Sequence, residues 1–79
     1  MMVRIIHPEA DTISIQSSEF HYCTQGVSSE IAFFQNGLWV TDPIEPFAEY
    51  ADDPIGDTRV YGWVPNNLIY AFLDENEDK

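Results

Sequence analysis

Basic residues are nearly missing from this chain. Three Lys and Arg stand against fourteen Asp and Glu in 79 residues, a formal net charge of -11. A field of that sign repels nucleic-acid phosphate and anionic lipid and attracts basic protein surfaces, so neither direct nucleic-acid binding nor membrane binding is expected. Cysteine is as scarce. With Cys23 alone, no intramolecular disulfide can form, and the staple of small secreted domains is lacking. A cytoplasmic location is therefore expected. Long apolar runs are absent too. Met1-Met2-Val3-Arg4-Ile5-Ile6-His7-Pro8 is apolar for too few residues to be a signal peptide or a membrane span, which points to a soluble, unprocessed chain. No phosphate-binding loop or catalytic motif is present.

What the chain does have is apolar and aromatic content: 44% hydrophobic and 14% aromatic residues. Disordered acidic tails lack these, so a folded body is expected. At this length one core is all the chain can build, burying roughly 60% of the surface the unfolded chain exposes. One β-rich domain over residues 1–73 is expected, followed by an acidic flexible tail, 74–79, with nothing apolar to bury.

Strand signals dominate. Val3 to Ile6 is a short β-branched run closed by His7-Pro8, and Thr12-Ile13-Ser14-Ile15-Gln16 alternates at period two. Glu30 to Gln35, Asn36-Gly37 and Leu38 to Thr41 read as a hairpin, because Asn-Gly is the preferred pair for a type I′ turn, where both residues need positive φ. The prolines of Asp42-Pro43-Ile44-Glu45-Pro46 mark a loop. Phe47 to Ala51 is a possible strand, residues 52–57 are turn chemistry, and Thr58 to Tyr61 returns as a strand. Leu68 to Leu73 is expected as the last strand. The predicted core is Ile31, Phe33, Trp39, Val60, Trp63 and Ile69.

From Phe20 to Ile69 the order of elements resembles a Src-homology-3 barrel. Phe20-His21-Tyr22 stands where that family carries an aromatic Tyr-x-Tyr. Ser29-Glu30-Ile31-Ala32-Phe33 with Gly37 is similar to its second strand and diverging turn. Gly62-Trp63-Val64-Pro65-Asn66-Asn67-Leu68-Ile69 resembles its closing Gly-Tyr-Val-Pro-Ser-Asn-Tyr-Val. The resemblance implies a small, antiparallel, partly open barrel with an N-terminal strand or hairpin addition. It further implies an adaptor that binds a partner peptide or subunit through Tyr22, Trp63 and Pro65. The chain departs from the family where Phe47 and Leu68 replace aromatic groove walls, and polyproline recognition needs such flat walls with polar tips.

Asp42, Glu45, Glu49, Asp52, Asp53 and Asp57 fall in a segment, 42–57, that contains no Lys, Arg or His. The plain reading is a solvated face that confers solubility. The sharper reading is a surface that imitates a phosphate backbone, because unpaired like charges repel one another and give the fold nothing in return. In composition the chain resembles the nucleic-acid mimics encoded by phages and mobile elements, anti-CRISPR and anti-restriction proteins among them. That resemblance implies an inhibitor whose carboxylates occupy the Lys and Arg of a nucleic-acid-binding effector, a CRISPR interference complex being the most concrete target. Phe47 and Tyr50 are the candidate apolar anchors at the rim of the patch, and a monomer is expected. No cofactor or metal is expected: His21 and Cys23 are too few for a closed zinc site, and Asp52, Asp53 and Asp57 lack the ligand alternation of a calcium loop. No enzymatic activity is expected, since a chain this short rarely holds a substrate cleft.

Overall fold

The computed structural model describes residues 1–17 and 26–78. The expected aromatic motif at Phe20-His21-Tyr22, the candidate adaptor residue Tyr22, and the His21 and Cys23 pair all lie outside the described residues. The chain forms β1 (Met2–His7), β2 (Ala10–Gln16), β3 (Ser28–Gln35), β4 (Leu38–Trp39), a 3-10 turn (Ala48–Tyr50), β5 (Tyr61–Pro65) and α1 (Asn66–Asn76). All pairings are antiparallel, and β3 is the hub. It pairs with β2 along one side, and with β5 and then β4 along the other. The five-stranded sheet is open, as expected, and one helix follows it.

The period-two pattern sorts the sheet into two faces. Ile13 pairs with Phe33 and Ile15 with Ile31; Ile13, Phe33 and Ile31 are buried beside Ile5, Ala10, Tyr61 and Val64, and Ile15 is half-buried. The opposite face carries Thr12, Phe34 and Trp39 in one cross-strand row. Phe33 sits at the middle of the inner face, with ring centroids 5.9 Å from Phe47, 5.5 Å from Tyr61 and 5.8 Å from Phe72. The contacts with Tyr61 and Phe72 are edge-to-face, an arrangement that adds to the area buried.

Several expectations are corrected here. Leu68 to Leu73 is helical, not a strand. Six consecutive apolar residues fit either period, and the structure selects the helical one by burying Ile69 and Phe72, three apart, while Tyr70 and Ala71 face water. Asn66 ties the start of the helix down: its N–H donates to the Val27 carbonyl (2.9 Å), and its Oδ1 accepts from the Ser29 hydroxyl (2.6 Å). Residues 74–76 are the helix's last turn. Beyond it Glu77 bridges Ile5 and the Asp78 N–H donates to the Arg4 carbonyl, so residues 77 and 78 lie along β1.

The segments around the acidic stretch are corrected as well. Phe47 to Ala51 holds a 3-10 turn in place of a strand, and the returning strand begins at Tyr61, not Thr58. Of the predicted core, Ile31, Phe33 and Ile69 are buried and Val60 is half-buried. Trp39 and Trp63 are 40% and 53% exposed. Trp63 faces outward because β5 carries an irregularity between its pairings with Ser29 and Ile31. Trp63 itself has φ 51, a conformation costly for a bulky side chain, and the irregularity re-aims it while Tyr61 and Val64 stay in the core.

Candidate functional site

The segment from Thr41 to Val60 has little regular structure, so side chains must hold it in place. Ile44 and Phe47, three residues apart, are driven into the core until nothing of either is exposed. Between and around them the polar residues point the other way: Asp42, Glu45, Glu49, Asp52, Asp53 and Asp57 are all exposed. The apolar pair therefore acts as an anchor that turns the carboxylates outward. Phe47, expected as an exposed anchor at the rim, is instead part of that core, and Tyr50 is half-buried against it.

Backbone groups in the segment are satisfied by side chains. The Ile44 N–H donates to the Tyr61 hydroxyl at 3.1 Å within the core. Burial pushes the Tyr61 phenol above its ordinary value of 10.0, against the opposing effect of that hydrogen bond. Ala48 N–H donates to Glu45 Oε1 (3.2 Å), opening the 3-10 turn. Arg59, the basic residue nearest the cluster in sequence, donates from Nε to the Thr41 carbonyl (2.6 Å) and from Nη1 to the Asp52 carbonyl (2.7 Å). One guanidinium thus closes the loop by holding the backbone of Thr41 and Asp52, eleven residues apart in sequence. The Asp52 N–H donates to the Val60 carbonyl (2.9 Å), and Ala51 bridges Tyr61.

Two concavities flank this loop. One, of ≈ 450 Å³, is lined by Glu49 and Tyr50 from the 3-10 turn, by Pro65 at the end of β5 and by Asn67, Leu68 and Ala71 of α1. The other, of ≈ 380 Å³, is lined by Leu38, Trp39, Thr41 and Asp57. Asp57 is presented by the tight turn Ile55-Gly56-Asp57-Thr58, whose ends exchange hydrogen bonds of 3.0 and 3.1 Å, with Gly56 at φ 59 where a side chain would be strained. The structure therefore joins Thr41 to Asp52 through Arg59 and brings Thr41 and Asp57 to one concavity. It sets Glu49 at the far side of the 3-10 turn, and leaves Glu45 and Asp53 exposed between.

Leu38 and Trp39 were missed as surface residues, although the sequence carries the signal that places them. A two-residue turn at Asn36-Gly37 pairs Gln35 with Leu38 and Phe34 with Trp39. Once Phe33 is assigned to the core, Phe34 and Trp39 must share the outer face, where their rings stand 4.8 Å apart. Val40 follows on the inner face, its N–H donating to the Phe33 carbonyl at 2.9 Å. Among the described residues no group of three or more His, Cys, Asp or Glu is placed to hold a metal ion, and no helix is long and apolar enough to cross a membrane. No protein-family model matches this chain, and neither the curated proteins nor the solved structures yield a match to it.

Proposed function

We propose that this protein acts by binding a basic, nucleic-acid-binding protein and blocking its nucleic-acid site, as an anti-CRISPR or similar anti-defence inhibitor would. The observation that carries this reading is the acidic loop, with six exposed carboxylates on a backbone pinned by Ile44, Phe47, Tyr61 and Arg59. A negative surface held in one shape loses little conformational freedom on binding, and its field steers a basic partner toward it. The exposed acidic groups elsewhere, Glu9, Asp74, Glu75, Glu77 and Asp78, would serve steering more than contact, because they are not gathered by such an anchor.

The test is capture of partners from a bacterial lysate at low and high salt, followed by competition with nucleic acid. A basic partner that is released as salt rises, and that cannot hold protein and nucleic acid together, is the expected result. Reversing Glu49, Asp52 and Asp53 to Lys should leave the fold intact and weaken binding about a hundredfold or more. Simultaneous binding of the protein and nucleic acid to the partner would rule this reading out.

A second reading, a peptide-binding adaptor resembling a Src-homology-3 domain, is favoured by one observation. Pro65 and Leu68 of the closing motif line a cleft with Tyr50 and Glu49. Trp63 is exposed and does not line it. A salt-tolerant, proline-rich partner whose binding is lost on Tyr50→Ala would select this reading over the first.

A further inference from the structure

Resting on the proposal that the acidic face binds a basic protein, we infer that the concavity between β4 and the Ile55–Thr58 turn is a receptor for an arginine side chain of that partner. Its walls differ in chemistry. Leu38 and Trp39 give an apolar and aromatic side, with Leu38 73% and Trp39 40% exposed, and Asp57 supplies a carboxylate opposite. Thr41, whose carbonyl accepts from Arg59 Nε, completes the lining.

Each wall is fixed before any partner arrives. Phe34 braces the Trp39 indole from the next strand at 4.8 Å. The hairpin arm is set by Asn36 (φ 54) and Gly37 (φ 79), and the Asp57 turn is closed by its own pair of hydrogen bonds. At ≈ 380 Å³ the space is near the small end of ligand pockets, which run about 300–1,000 Å³, and suits one long side chain better than a folded segment.

Charge chooses the occupant. A second copy of this chain would bring another net charge of -11 to an already acidic rim, and a nucleic acid would bring phosphates. An apolar side chain would bury Asp57 without a partner. A guanidinium satisfies both walls at once, since its plane stacks on an indole while its edge donates a fork of N–H groups to a carboxylate. An ammonium matches the charge and lacks the plane, so arginine is preferred to lysine.

The experiment follows the two indole N–H signals of Trp39 and Trp63 by NMR while acetyl-Gly-Arg-Gly-amide is added, with the lysine and citrulline tripeptides as comparisons. The arginine probe should move Trp39 and leave Trp63 in place, lysine should act more weakly, and neutral citrulline should do nothing. Equal effects of arginine and citrulline, or shifts at Trp63 alone, overturn the inference.

Oligoarginine affinity then separates this pocket from the surface as a whole. Asp57→Asn and Trp39→Leu should each weaken it about tenfold, and Asp74→Asn, the same change of charge on α1, should not. If Asp57→Asn and Trp39→Leu bind oligoarginine like wild type while the Glu49, Asp52 and Asp53 reversal weakens it, the pocket is refuted and the acidic face stands. If the reversal has no effect and the pocket variants do, the pocket stands and the wider acidic face is refuted. Should Trp39→Leu lower the melting temperature, Asp57→Asn decides the matter, because Asp57 is exposed and contributes no core packing.

Discussion

The hairpin region and the acidic loop are held in place by different means. Residues 1–17 and 28–40 are organised by backbone ladders, β1 to β2 to β3 to β4, with side chains sorted into faces by strand alternation. Residues 41–60 have almost no ladder and are organised by side chains reaching backbone: Ile44 and Phe47 into the core, Tyr61 to Ile44, Arg59 to Thr41 and Asp52. A loop fastened this way can be as well ordered as a strand while leaving its outward positions without structural duty. Those positions are where the carboxylates sit. Apart from Glu45, which accepts from the Ala48 N–H, the acidic residues of the loop are displayed by the fold more than they build it.

The strongest way to break this comparison is to test whether the loop belongs to the core at all. Phe33→Ala removes the ring at the centre of the sheet's inner face, and Phe47→Ala removes the loop's anchor that packs on it. Both should cost about 3–5 kcal/mol, the usual range for a buried Phe, and a domain this small has little more stability than that to lose. Chemical denaturation of the two variants checks it. A Phe47→Ala protein that keeps the wild-type midpoint would show that the loop is draped over the core and not inserted into it.

A smaller change sharpens the same point. Tyr61→Phe keeps the ring and deletes only the hydroxyl that accepts from the Ile44 N–H, leaving a buried donor unpaired at about 1–3 kcal/mol. Hydrogen exchange at the Ile44 amide should rise in the variant far more than at Phe33 in β3. Equal changes at both amides would mean that loop and sheet open as one unit, and that the contrast drawn here does not extend to dynamics.

On the ladder side, Gly37→Ala places a Cβ at φ 79, where the left-handed conformation costs about 1–2 kcal/mol, although no neighbouring atom lies within 4 Å to clash with it. The expected loss is strain alone, read as a modest fall in melting temperature with partner binding retained. A larger loss than Tyr61→Phe produces would reverse the ranking of the two regions.

How far this architecture was legible follows from the same division. The Asn36-Gly37 hairpin and the alternation of β2 were readable because each depends on residues adjacent in sequence. The fate of Leu68 to Leu73 was not, because six apolar residues in a row carry no period, and burial against β1 and β5 chose the helix. Phe47 looked like a surface aromatic because it lies among carboxylates. Nothing local says that Phe33 and Phe72 stand 5.9 and 5.1 Å from it. Trp63 was misplaced for a related reason: an irregularity in strand pairing shifts the facing of one residue, and that shift is decided by β3, more than thirty residues earlier. The carboxylates of the acidic loop were legible as a run in sequence, and Trp39 as their neighbour was legible only through the register of the hairpin.

The smallest expected effect concerns the one carboxylate that does serve the ladder. Asp11, at the start of β2, accepts from the Asn36 N–H through Oδ2 (2.8 Å) and from the Thr12 hydroxyl through Oδ1 (2.9 Å), tying the hairpin turn to the neighbouring strand. The Asn36 bond first, and the Thr12 bond after it, hold the Asp11 carboxyl below its ordinary value of 3.8. A carboxylate whose folded value is depressed contributes stability that is fully present above 3.8 and is lost as pH falls from there through the folded value. Acidification also discharges the other Asp and Glu side chains and relieves their repulsion, so wild-type melting alone would confuse the two effects. Comparison with Asp11→Ala isolates one of them. The gap in melting temperature between wild type and Asp11→Ala should be small but measurable at neutral pH and should close as the pH is taken to about 2. A gap that stays constant to acid pH would mean that Asp11 contributes by its shape or its turn geometry, with no part played by its charge. The loop carboxylates would then differ from it in location but not in kind.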